Sequence, residues 1–310
     1  MWAIGDGEQC AKKSIPSAPI EQRHQVIEQV REQIPSVSVR TLCRWLGVNR
    51  RWYYQRRKQV KHEERETKLR EAMEQIILSF PGYGYRRVTH VLVRAGWKVN
   101  HKRVLRIMRE QSWLCHRKRH TIHTTDSRHR YRRYPNLVAG QTFDAPDRCW
   151  VADLTYIRLP GEFVYLACIL DRYSRKCVGW HLGRCLDSSL SLQALEMALA
   201  QRDVATGLIH HSDQGVQYAN TAYVNRLYEV GARISMAATG NPYQNAVAES
   251  FMKTLKTEEV YLNEYQTLEE ARTNIEYFLR EIYNEQRLHS ALGYRPPNEF
   301  EQLHYQGLLS

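Results

Sequence analysis

A chain of 310 residues with 43% hydrophobic and 25% charged residues has room for about two or three domains with cores of their own, and its composition is neither fibrous nor disordered. Lysine and arginine number 45 against 33 aspartates and glutamates, and the resulting net charge of +12 points to a polyanionic partner, nucleic acid before acidic membrane. The seven cysteines include no C-x-x-C pair, which argues against a disulfide framework or structural zinc; no apolar run approaches the roughly eighteen residues of a membrane span, so a reducing cytoplasm and no membrane partner are expected.

Residues 1–19 mix Gly, Ser and Pro without periodicity and read as a flexible tail. A helix is predicted from Ile20 to Gln33. Ser36 and Ser38 offer caps for a short helix holding Leu42 and Leu46, Gly47 breaks it, and Asn49 caps a helix that opens Arg50-Arg51-Trp52-Tyr53-Tyr54. Helix, tight turn and basic helix over 20–60 have the form of a helix-turn-helix, whose second helix enters the major groove of double-stranded DNA. Arg50, Arg51, Arg56, Arg57 and Lys58 are placed for phosphates or base edges, although a small bundle with a solvated basic face has the same pattern.

A separate charged helix is expected around Lys61 to Leu78. The segment after it repeats the architecture. Val88, Val91, Leu92 and Ala95 form one apolar stripe, Gly96 interrupts, Asn100 caps, and Val104, Ile107 and Met108 form the next stripe. This gives a second helix-turn-helix-like domain over 61–114, with Lys102 and Arg103 at the start of its second helix as candidate DNA contacts. Residues 115–144 contain too few apolar side chains for a core and read as a basic linker in which Arg117 and Arg119 track a DNA backbone; the histidines there lack metal-ligand spacing.

From Arg148 the pattern becomes β-rich. "CWVADLTYIRL", "FVYLACILD" and "RKCVGWHLG" are separated by short turns and predict an antiparallel meander. A capped amphipathic helix follows, then the strand "TGLIHHSD", a helix, the strand "RISMA", and helices around 244–262 and 268–283. Three antiparallel strands followed by alternating helices and strands are the order of a ribonuclease-H-like α/β core with a mixed five-stranded sheet, placed at 145–285, with a C-terminal extension over 286–310.

Three carboxylates fall at telling places in that core. Asp153 lies within the first strand, where a carboxylate is costly unless paired or bound to a metal. Asp213 follows the strand "GLIHHS", and α/β sheets present functional groups at the carboxyl ends of strands. Glu249 comes early in the helix of "GNPYQNAVAESFMKTLK", where Ala248, Phe251, Met252 and Leu255 share an apolar stripe while Glu249, Lys253 and Lys256 share another. Oxygen ligands of this kind suit Mg²⁺ or Mn²⁺, and two such ions serve in-line displacement at a phosphodiester. A hydrolase pair of Ser212 and His211 is disfavoured because neighbours in a strand face opposite ways. No G-x-x-x-x-G-K-[ST] loop occurs.

"WVADLTYI", "HSDQGVQY" and "NAVAESF", with "YNEQRLHSALGYRPPNEF" behind them, resemble the DDE transposases that carry a retroviral-integrase-like core. Within that family the chain is similar to the downstream-frame product of bacterial insertion sequences whose full transposase is made by frameshifting, and the likeness runs from about Ser38 to Phe300. The resemblance implies Asp153, Asp213 and Glu249 as catalytic residues and ligands of two Mg²⁺ or Mn²⁺ ions. It places Lys256 and Lys253 on the DNA end, with Gln214 either touching DNA or supporting its loop. Gln244-Asn245 stands where many relatives have Asp-Asn, which implies tuning of activity. His211, Gln217 and Tyr218 match the second motif. Tyr283, Asn284, Arg287, His289, Gly293, Tyr294 and Pro296 match the C-terminal signature, a binding element or a packing clasp, and Asp171 is left structural. The implied partners are the element's terminal inverted repeats, target DNA, further copies of the chain and an upstream-frame protein. The implied activity is metal-dependent cleavage and strand transfer; a DNA-binding regulator that has lost catalysis, or a simple nuclease of the same fold, is the alternative.

Overall fold

A computed structural model of the chain describes residues 18–114, 131–238 and 245–309. The expected contacts Arg117 and Arg119 lie outside these residues, as do Gly240 to Gln244 ahead of Glu249 and most of the expected tail. The chain divides into one unit up to Leu78 and another from Ser79 onward. No helix among the described residues is long and apolar enough to cross a membrane.

The first unit contains α1 (Ile20–Gln33), α2 (Val39–Trp45) and most of α3 (Arg50–Ser79). Ile27, Leu42, Cys43, Leu46, Val48 and Tyr53 form its core. Ser38 accepts from the Thr41 amide at 3.2 Å and Asn49 from the Arg51 amide at 2.8 Å, so both predicted caps act at their helix starts. The turn between them uses Gly47 at φ +60°. Tyr53 is sequestered and accepts a hydrogen bond from Arg31 Nη1 at 2.9 Å. The expected separate helix around Lys61 to Leu78 is instead a continuation of α3. No Gly or Pro occurs between Arg50 and Ser79, and one-turn contacts such as Gln59 to Glu63 and Arg70 to Glu66, both 3.0 Å, support the exposed stretch. The expected division at 60/61 therefore falls inside one helix.

The second unit opens with α4 (Tyr85–Arg94) and α5 (His101–Glu110). Val88, Leu92, Val104, Ile107 and Met108 are buried as their spacing requires, whereas Val91 is half-buried and Ala95, already past the end of α4, is exposed. Asn100 caps α5 by accepting from the Lys102 amide at 2.8 Å.

The α/β core follows. Strands β1 (Cys149–Leu159), β2 (Glu162–Asp171), β3 (Cys177–Gly183), β4 (Ile209–Ser212) and β5 (Arg233–Met236) form one sheet in the order β3-β2-β1-β4-β5. The first three strands are antiparallel, and β4 and β5 join parallel to β1, as expected for a ribonuclease-H-like fold. Alternation along β1 sorts two cores. Trp150, Ala152 and Leu154 pack with α6 (Ser188–Gln201), the short α7 (Val216–Ala219) and α8 (Thr221–Glu229). Cys149, Val151 and Ile157 share the other core with α9 (Ala246–Leu255) and α10 (Leu268–Tyr277), and α11 (Pro297–Tyr305) closes the chain.

The two helices expected around 244–262 and 268–283 each finish as a π-helix, at Lys256–Val260 and Phe278–Asn284. Side-chain partners remote in sequence accompany these wide turns. Asn284, for example, accepts from the Cys177 amide and donates to the Cys177 carbonyl, both at 3.0 Å, in the manner of a neighbouring strand.

Candidate active site

The parallel pairing of β1 with β4 sets the centre of the site. Val151 pairs with His211, and Asp153 and Asp213 lie two residues further along their respective chains, on the same face as that pair. Neighbouring strands are about 4.8 Å apart, so the two carboxylates come side by side where β4 has ended and β1 continues. The face is the one covered by α9. Ala248, Phe251, Met252 and Leu255 anchor that helix, and Glu249 remains exposed in its first turn.

Asn245 secures the approach of α9. It is buried, makes no capping bond to its own helix, and donates from Nδ2 to the Ala152 carbonyl at 3.1 Å. The residue just before the glutamate's helix is thereby bound to the residue just before Asp153. Composition signalled a cap at this asparagine; its actual partner is 93 residues away.

Like charge accumulates in the pocket. The Asp153 carboxyl is pushed up to about 7, first by burial and then by the charge of Asp213, with Glu249 adding to the rise; the Leu154 amide, donating at 2.9 Å, and the Lys256 ammonium oppose it. Burial raises Glu249 as well. Burial lowers Lys256 while Asp153 draws it back up, and Lys256 Nζ stands 4.5 Å from the Tyr156 ring centroid. Asp213 Oδ1 accepts from the Gly215 amide at 3.0 Å, and a Cβ at Gly215 would come within 2.9 Å of the same oxygen, so the turn suits glycine. Tyr218 is buried nearby with no hydrogen-bond partner for its hydroxyl among the described residues, and burial, Asp153 and Asp213 all raise its pKa. Neither this hydroxyl nor the Lys256–Tyr156 contact was legible from the motifs.

Among the described residues, no three His, Cys, Asp or Glu side chains close around a common point as a finished metal cage. The arrangement is an open one, two aspartates on the sheet with the glutamate on the covering helix. Ser212 and His211 are not a catalytic pair. Ser212 Oγ donates to the Asp213 carbonyl at 2.9 Å, while His211 Nδ1 lies 2.8 Å from Ser235 Oγ. Asp171 is fully buried and closes a turn, accepting from the amides of Ser174 at 2.7 Å and Asp147 at 2.8 Å.

The remaining candidates are dispersed. Lys253 is exposed on α9, and Gln214, beside Asp213, is half-buried. Lys102 is exposed and Arg103 half-buried at the start of α5. Arg50 and Arg51 are exposed on the first turn of α3 in the other unit, where Arg57 stands 3.4 Å from Glu28.

The chain matches two models described as integrase core domain, over residues 144–242 and 230–297, and one described as HTH-like domain, over 63–121. It is 36% identical to the transposase for insertion sequence element IS904 of Lactococcus lactis, over 80% of this chain and 98% of that one. It is equally identical, at 36%, to the IS600 uncharacterized 31 kDa protein of Shigella sonnei, covering 86% of this chain and 99% of the relative. Transposase InsF for insertion sequence IS3A of Escherichia coli K12 is 30% identical, with 85% and 94% covered. With a matching integrase core, an HTH-like region and relatives aligned over nearly their full length, the chain belongs to the insertion-sequence transposases, DNA-acting polynucleotidyl transferases built on a ribonuclease-H-like core.

Proposed function

We propose that this transposase cuts and joins element ends at a site formed by Asp153, Asp213 and Glu249, which would hold two Mg²⁺ or Mn²⁺ ions. The observation that carries the reading is the placement of Asp153 and Asp213 at matched positions on adjacent parallel strands, beneath the helix that bears Glu249. Their oxygen-only donor set and the raised Asp153 carboxyl fit a divalent cation, and an open site suits an ion that retains waters and substrate phosphate. Such ions, when bound, offset the phosphate charge and activate the attacking oxygen.

The chain's own residues fix the geometry. Asn245 holds α9 against β1, and the bond from Leu154 orients the Asp153 carboxylate. Lys256, steadied over Tyr156, neutralises a phosphate of the DNA end, with Lys253 and Gln214 further along the same path. Water attacks the phosphodiester at the element end and releases a 3′-hydroxyl, which then attacks a second phosphodiester. The helical regions bind the terminal repeats through Arg50, Arg51, Arg57, Lys102 and Arg103, with Arg117 and Arg119 of the basic stretch following the backbone. Two or more copies hold two ends in the cytoplasm, and an upstream-frame protein assists binding.

The test incubates the purified chain with Mn²⁺ or Mg²⁺ and supercoiled DNA carrying the flanks of its own gene, beside Asp153→Asn and Asp213→Asn. New junctions made by the wild type and absent from both variants, which still bind DNA, support the reading. Joining that persists in Asp153→Asn removes this site from the chemistry.

A further inference from the structure

The C-terminal signature meets the helix-turn-helix-like segment at a buried cluster. Arg287, 3% exposed, chelates Glu258 through Nε and Nη2, both at 2.7 Å, and Glu258 belongs to the π-helix that continues α9 beyond Lys256. Glu258 is also approached from the other side of the cluster. Arg87 of α4 stands 3.7 Å from it and donates through Nε to the Leu288 carbonyl at 3.0 Å, while the Leu288 amide donates to the buried Tyr83 hydroxyl at 2.8 Å. A Cβ at Gly82 would come within 2.3 Å of the Glu258 side chain, so backbone and carboxylate are in direct apposition.

The turn beyond Arg287 adds a second grip. Tyr294 adopts φ +59°, a costly conformation for a non-glycine residue, and its ring stacks on His90 of α4 with centroids 3.6 Å apart. Arg94, at the end of α4, donates to Glu299 at 3.3 Å and to the Tyr294 carbonyl at 3.4 Å. These contacts attach α4, and through it the neighbouring α5, to the chain segment that also carries Glu249 and Lys256. A buried ion pair is poor as a source of stability and better suited to specifying an arrangement.

We propose that Glu258, Arg287 and Tyr294 are positioning residues, a clamp that sets the distance from α5 to the carboxylates so that DNA held by the helical segment reaches them in register. The proposal rests on the reading that α5 binds the element end and the carboxylates process it. Without the clamp, DNA still binds and the carboxylates still work, but the two events lose their fixed spacing.

The experiment uses the full chain, its Glu258→Gln, Glu258→Asp and Tyr294→Ala variants, and an Asp153→Asn control. Two duplexes are compared at saturating concentration: a long one carrying the whole element end, and one cut back to about ten terminal base pairs, one helical turn. Joining of the long duplex is expected to fall at least about tenfold in Glu258→Gln and Tyr294→Ala, with Kd for that duplex within about threefold of wild type and the short duplex processed at the wild-type rate. Glu258→Asp, which keeps the charge, should recover part of the loss. Equal losses on both duplexes, or a Kd that rises in step with the lost rate, would overturn the clamp. So would amide exchange across residues 85–94 and 287–295 that is unchanged in both variants. Joining that survives Asp153→Asn would instead strike the underlying reading and the clamp with it. Tyr294→Ala leaves no buried charge unpaired, so it remains informative should Glu258→Gln fold poorly.

Discussion

Asn245 donates to the carbonyl of Ala152, and this one bond connects the entrance of the Glu249 helix to the strand position adjoining Asp153. Two carboxylates from segments far apart in sequence thus derive their spacing from a neutral side chain. Asn245→Ala should lower stability by roughly 1 kcal/mol, a few degrees in Tm, while reducing DNA joining about 10- to 100-fold. Calorimetry and a joining assay on the same preparation measure the two effects; a rate loss no larger than the stability loss explains would remove Asn245 from the site's geometry.

Lys256 is expected to act on phosphate without reading bases. Lys256→Ala should weaken binding by similar factors across different end sequences and make the slope of log Kd against log salt shallower by about one ion. Fluorescence anisotropy over a salt series checks this, and a sequence-selective loss would contradict it.

Glu301 accepts from Arg202 Nη1 at 2.8 Å, Lys176 Nζ at 3.2 Å and Ser174 Oγ at 2.7 Å while only 4% exposed. Its removal leaves a buried guanidinium short of a partner, so Glu301→Ala should cost about 3–5 kcal/mol and lower Tm by roughly 10 °C. A change of a degree or two in thermal melting would show that this network adds little to the attachment of α11.

His289 is held neutral, its pKa pushed down to about 2 by burial and then by Arg287, Arg87 and Arg175. The unfolded chain takes up a proton at this residue below about 6.5 whereas the folded chain does not, so this contribution to stability is complete above 6.5 and is lost as pH falls toward 2. Asp153 and Asp171, raised to about 7 and about 6, act in the opposite sense: the folded state keeps protons that the unfolded state gives up above 3.8. The histidine's effect is therefore isolated by difference. His289→Gln should gain stability relative to wild type by up to about 1.4 kcal/mol per pH unit below 6.5, read from denaturant melts at several pH values. A difference independent of pH would refute the assignment.

Much of this architecture is written in local chemistry. Ser38, Asn49 and Asn100 announce helix starts, and alternation along Cys149–Leu159 separates the two cores. The residues around Asp153, Asp213 and Glu249 identify candidate carboxylates because each sits where strand and helix grammar places a functional group. The unread part is tertiary. Asn245 has the composition of a cap and binds across to β1; Arg287 has the composition of a surface cation and is buried on Glu258. The uninterrupted α3 escaped notice because charged residues from Lys61 onward permit a loop as readily as a long exposed helix, and the absence of Gly and Pro is the better guide.

The π-helix at Lys256–Val260 also makes chain length itself a constrained property. Each wide turn accommodates one residue more than an α-helical turn, and each residue contributes about 100° of rotation. Deleting a single residue there would let the helix relax to its ordinary period and turn everything beyond it by that angle, carrying Glu258 away from Arg287 while Glu249 stayed in place. The turn at Pro160-Gly161, by contrast, lies between two strand ends and can absorb a change in length without rotating either. Among natural variants of this chain, insertions and deletions should therefore gather in surface turns of that kind and be absent from the five residues after Leu255.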